Sequence, residues 1–143
     1  MLCRKDYTQE ELDAARTASD RQLSAYRALV ATIGGATPDP KVRSALSAFE
    51  PLFFDNLPLA LDRRLVHRLR VVAGRDGNPL NEVEPIAASL MNNDGVLGAG
   101  NVIELELEES VLELGVGDRI GLSAAEFERL SDAFLAEIEA RFV

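Results

Sequence analysis

Residues 55–93 read DNLPLALDRRLVHRLRVVAGRDGNPLNEVEPIAASLMNN. The pattern predicts a basic amphipathic helix, a tight polar turn and a second amphipathic helix. Asn56 is placed to cap the first helix, and Pro58 suits its first turn, where a missing N–H costs nothing. Gly74 is placed to end it as a left-handed residue, so the basic helix is expected over residues 58–73. At 100° per residue, Leu57, Leu59, Leu61, Leu65, Val66, Leu69, Val72 and Ala73 share an arc of about 200°. Arg63, Arg64, His67 and Arg70 fall on the opposite side. Asp62 and Arg68 break this division, because both point into the apolar arc, about 120° apart. They are six positions apart and so do not form an i,i+4 pair. A buried unpaired charge costs several kcal/mol or more. Each is therefore expected to take a partner, with Glu50, Glu82 and Glu84 as candidates.

Downstream, Asp76-Gly77 and Asn78-Pro79 are turn dipeptides. Leu80, Val83, Ala87, Leu90 and Met91 recur at helical spacing, with Asn78 or Asn81 as the cap and Pro85 in an early turn. The period then changes from 3.6 to 2. Ile103, Leu105 and Leu107 alternate with Glu104, Glu106 and Glu108, as in a half-buried strand. Residues 111–114 and 119–122 read as further short strands around the turn Gly115-Val116-Gly117-Asp118. Ser123 with Glu126 is a capping box, and Phe127, Leu130, Phe134, Ile138 and Phe142 form one stripe of a last helix.

Upstream, residues 1–7 read as a frayed terminus. Thr8 with Glu11 is another capping box. Leu12, Ala15, Ser19, Leu23, Tyr26, Val30 and Ile33 recur at helical spacing until Gly34-Gly35, and residues 36–40 read as a turn. Asp39 and Pro40 open a second helix with Val42, Ala45, Leu46 and Phe49 on its apolar side. Pro51 is expected to break or kink it, and Leu52, Phe53 and Phe54 are expected in the core. The expected fold is a single α+β domain over residues 1–143. It is mostly α-helical, with about five helices and a small antiparallel hairpin or meander before the C-terminal helix.

At 143 residues the chain can bury a core without staples. Its lone Cys3 excludes an intramolecular disulfide and a cysteine zinc cluster. The opening MLCRKDYTQEELDAAR has no apolar stretch of a secretory signal, and no run is long enough to span a membrane. A cytoplasmic protein without membrane attachment is expected. The net charge is −9, and residues 101–143 carry three basic and eleven acidic side chains. That excess argues against nucleic-acid binding. Locally, five arginines lie between Arg63 and Arg75 with no intervening acid.

No catalytic constellation is legible. His67 is the natural general base near neutral pH, yet no serine or cysteine stands in a nucleophile motif, and its wheel position is a polar surface. Arg63, Arg64, His67, Arg68 and Arg70 suit an anion site by residue type; the alternative is a solvated or ion-paired face. Asp76, Asn78, Asn81, Asn92, Asn93 and Asp94 do not have calcium-loop spacing, and turn and cap chemistry accounts for them. No metal and no cofactor are expected. Gly95, Gly98 and Gly100 read as a loop, not a nucleotide fingerprint.

The string LELGVGDRIGL resembles one strand of the swapped-hairpin bacterial DNA-binding domains. The basic half of that family's unit is absent, and the flanks here are acidic. More broadly, LVHRLRVVAGRDGNPLNEV, SLMNNDGVL and VGDRI resemble an uncharacterised family of small bacterial proteins of actinobacterial type. That likeness spans roughly residues 45–143 and implies no activity, cofactor or catalytic residue. The sequence thus points to a non-enzymatic oligomeric or partner-binding domain, with a two-fold homodimer expected. The alternative is an anion-binding regulatory or nucleic-acid-associated protein using the helix at 58–73. A hydrolase using His67 with Asp76 is a more distant reading.

Overall fold

The computed structural model of the chain describes residues 3–34, 39–99 and 107–143. Helix α1 spans Gln9–Gly34, α2 Pro40–Phe54, α3 Leu57–Arg64, α4 Arg70–Ala73, α5 Pro79–Asn92 and α6 Ala124–Phe142. One 3₁₀ turn lies at Leu107–Glu109. Local chemistry sets where the helices begin. The Thr8 hydroxyl accepts from the Glu11 N–H at 3.1 Å, and the Glu11 carboxylate accepts from the Thr8 N–H at 2.9 Å. Ser123 and Glu126 close the same reciprocal box on α6. Asp39 caps α2 through the Lys41 N–H, and Asn78 caps α5 through the N–H groups of Leu80 and Asn81.

Helix α6 sits at the centre and packs against all five other helices. Its Phe127, Leu130, Phe134, Ile138 and Phe142 meet Leu12, Ala15, Leu23 and Tyr26 of α1 and Leu80, Val83 and Ile86 of α5. Fully burying each such side chain stabilises the fold by about 1.5–3 kcal/mol.

The helix expected over 58–73 is not continuous. It stops at Arg64, and residues 65–69 run as irregular chain before the single turn of α4. His67 takes a left-handed φ of +63°, which a helix interior does not tolerate. The cause lies about sixty residues upstream. The Arg4 N–H donates to the His67 carbonyl at 2.6 Å, and the Leu69 N–H donates to the Arg4 carbonyl at 2.8 Å. The buried Tyr7 hydroxyl donates toward the carbonyls of Leu65 and Val66, at 3.0 and 2.7 Å. Burial raises the Tyr7 phenol above its usual range, so it stays protonated as a donor. The N-terminal strap, read as frayed, is thus hydrogen-bonded from Arg4 to Tyr7 and replaces the helical partners of residues 65–69.

The α+β expectation is corrected. Among the described residues there is no strand, only isolated bridges between Arg4 and Arg68 and between Val96 and Arg119. Most of the alternating stretch, Ile103 to Glu106, lies outside the described residues, as do Gly100 and most of the turn after Gly34. Leu107 belongs to the 3₁₀ turn. Residues 111–114 and 119–122 do not pair with each other. Val111 and Leu112 donate their N–H groups to the buried Glu82 carboxylate of α5, at 2.8 and 3.0 Å. The Ile120 N–H donates to the Gly95 carbonyl, and the Leu97 N–H to the Asp118 carbonyl. Every buried backbone donor needs an acceptor, and here α5 and the loop after it supply them. Pro51 does not break α2, which runs through it to Phe54.

Candidate functional site

Arg68 and its neighbours form the polar hub of the molecule. Its side chain is 5% exposed. One guanidinium nitrogen donates to Asp62 at 2.7 Å and lies 3.5 Å from Glu84; another donates to the Leu65 carbonyl at 2.6 Å. Its Nε has no hydrogen-bond partner among the described residues, and the guanidinium carbon stands 5.2 Å from the centre of the Phe134 ring. Arg70 donates to Glu84 at 2.7 Å and to Asn81 at 2.6 Å. Asn81 in turn holds the carbonyls of Gly74 and Asp76. Gly74 has a φ of +78°, and a Cβ there would come within 2.7 Å of an Asp76 carboxylate oxygen. Only glycine fits this corner without displacement.

Of the five candidate anion-site residues, Arg68 and Arg70 meet at Glu84. Arg68 and Arg70 are committed to Asp62 and Glu84, whereas Arg63, Arg64 and His67 are exposed. An open groove of about 470 Å³ between α3 and α5 is lined by Leu59, Asp62, Arg63, Glu84, Ala87, Ala88, Met91 and Asn92. Its two carboxylates already face Arg68. Among the described residues, no group of three or more histidine, cysteine or acidic side chains is arranged to hold a metal. No helix among them is long and apolar enough to cross a membrane.

The second feature is the outer end of the α1–α2 hairpin. Along α1 the last buried residue is Tyr26, two turns before the helix ends; along α2 only Phe54 is buried. Between these ends lies a groove of about 280 Å³ lined by Leu29, Ile33, Val42, Ala45, Leu46 and Phe49. Leu29, Ile33 and Phe49 are 48%, 47% and 43% exposed, and Leu52, expected in the core, is 72% exposed. Phe49 of the groove lining stacks with Tyr26 and Phe53, the three ring centroids lying 5.6–6.4 Å apart. Its chemistry is that of a receptor for apolar side chains, with no nucleophile among the lining residues.

Sequence reasoning placed Val42, Ala45, Leu46 and Phe49 on one apolar side but assigned the neighbouring Leu52 to the core, whereas Phe53 does pack against the core. One signal was available. Leu29 lies about 80° from the centre of the stripe formed by Leu12, Ala15, Leu23 and Tyr26. No known protein family matches the chain, and neither a curated protein nor a solved structure matches it.

Proposed function

We propose that the protein is a binding domain that docks a protein partner on the α1–α2 groove. The observation that carries this reading is the exposed apolar seam at the hairpin end, beside a core completed around α6. Contiguous exposed apolar surface with a polar surround is the usual mark of an interaction site. The groove also suits the helix-in-groove mode, in which apolar side chains at i, i+3, i+4 and i+7 enter a cleft between helices. A photo-crosslinking amino acid at Ile33, introduced in the native cell, should give a discrete protein adduct. The same probe at the exposed Arg64, at the end of α3, should give none. Equal labelling at the two positions, or silence at Ile33, would refute the reading.

A further inference from the structure

Resting on that docking reading, we infer that the partner segment is an acidic amphipathic helix. The argument is charge complementarity. Residues 21–49, which include the groove, carry Arg21, Arg27, Lys41 and Arg43 against the single acid Asp39, in a chain whose net charge is −9; Arg27 is neutralised by Glu128 of α6, so the positive charge of the rim rests on Lys41 and Arg43. Lys41 and Arg43 flank Val42, so they stand about 100° to either side of the groove-lining row of α2. Both are exposed, and neither forms an ion pair among the described residues. The acids that could neutralise this rim are committed elsewhere. Asp39 caps α2. The Glu50 carboxylate accepts the Ala124 N–H at 2.5 Å and lies beside the Tyr26 hydroxyl.

The same rim disfavours two other occupants. Two copies related by a two-fold axis through this groove would set one cationic rim against another. An anionic bilayer would meet the basic rim but be repelled by the acidic remainder of the molecule. It also offers a flat surface to residues that line a concave cleft. A helix with apolar residues at i, i+3, i+4 and i+7 and acids on its flanks satisfies both the cleft and the rim.

The test uses the full chain and two fluorescent synthetic helices of about five turns. Both carry the same leucine stripe; one has glutamate on the flanks and the other lysine. The acidic helix should bind ~tenfold more tightly at low salt, and the preference should shrink as salt rises. Lys41→Glu with Arg43→Glu should reverse the preference. Leu29→Glu with Ile33→Glu should abolish binding of both helices while leaving the melting temperature near wild type, since both side chains are half-exposed. Equal binding of both helices, abolished by Leu29→Glu with Ile33→Glu, overturns the acidic partner and leaves the docking reading standing. A dimer in light scattering that this pair of substitutions converts to monomer assigns the groove to a second copy and overturns the inference. Capture by anionic vesicles without helix binding replaces the protein partner by a lipid surface and overturns both readings. Helix binding that none of these substitutions alters removes the groove as the site.

Discussion

At Arg68 the fold buries a charge, and at the α1–α2 groove it leaves apolar side chains in water. Both depart from the expected partition, and the surroundings explain why they differ. Around Arg68 the guanidinium is held by Asp62, Glu84, the Leu65 carbonyl and the Phe134 ring. That arrangement holds the chain break between α3 and α4 and is needed by the fold. At the groove Leu29 and Ile33 stay half-exposed and Phe49 only stacks on Tyr26 and Phe53, while Tyr26, Phe53 and Phe54 close the core. A buried charge held by two carboxylates and a backbone carbonyl reads as architecture. An exposed apolar seam that the fold does not use reads as a surface for something else.

The contrast is most sharply tested at Arg68. Arg68→Ala leaves Asp62 facing a vacated, largely buried space, and removal of one partner of a buried pair typically costs about 3–5 kcal/mol. The melting temperature should fall by about 10 °C or more for a domain of this size. Replacing Arg68 and Asp62 together by leucine should recover part of that loss, because no charge is then stranded. A thermal melt of Arg68→Ala within about 1 kcal/mol of wild type would mean that the hub is not structural.

The groove should respond weakly to the same kind of change. Phe49→Ala removes a half-exposed ring whose stacking on Tyr26 and Phe53 contributes about 1 kcal/mol. Phe54→Ala, five residues on and fully buried, should cost about 3–5 kcal/mol. Equal losses for the two in urea unfolding would show that the groove is part of the core, and the comparison would collapse. Arg64→Ala, at the exposed end of α3, should stay within about 0.5 kcal/mol of wild type.

The smallest effect concerns the strap that sustains the Arg68 break. Arg4 pairs with Glu11 at 2.6 Å, and this holds the Glu11 carboxyl down at about 2, against an ordinary value of 4.5. A depressed carboxylate contributes stability that is fully present above its unfolded value. That contribution is lost as pH falls from about 4.5 toward 2. The pair is partly solvated, so the loss is small. Glu11→Gln should flatten the acid limb of the stability curve within that window. An unchanged acid limb in the variant would detach the strap from this ion pair.

The sequence by itself determined what depends on neighbours within a turn or so. Thr8, Asp39, Asn78 and Ser123 start helices because their side chains reach N–H groups two or three residues ahead, and 3.6-residue periodicity marked the long helices. The need of Asp62 and Arg68 for partners was also legible, since desolvation penalises any lone charge on an apolar arc. What only the tertiary structure decided involves partners far along the chain. Residues 65–69 leave the helix because Arg4 and Tyr7 supply their hydrogen bonds, and residues 111–112 leave the expected strand because Glu82 accepts their donors. The groove belongs to the same class. Val42, Leu46 and Phe49 have the spacing of core residues, and whether such a stripe is covered depends on how many other helices reach it. Periodicity records that a face is apolar; only the packing of the whole chain settles what, if anything, lies against it.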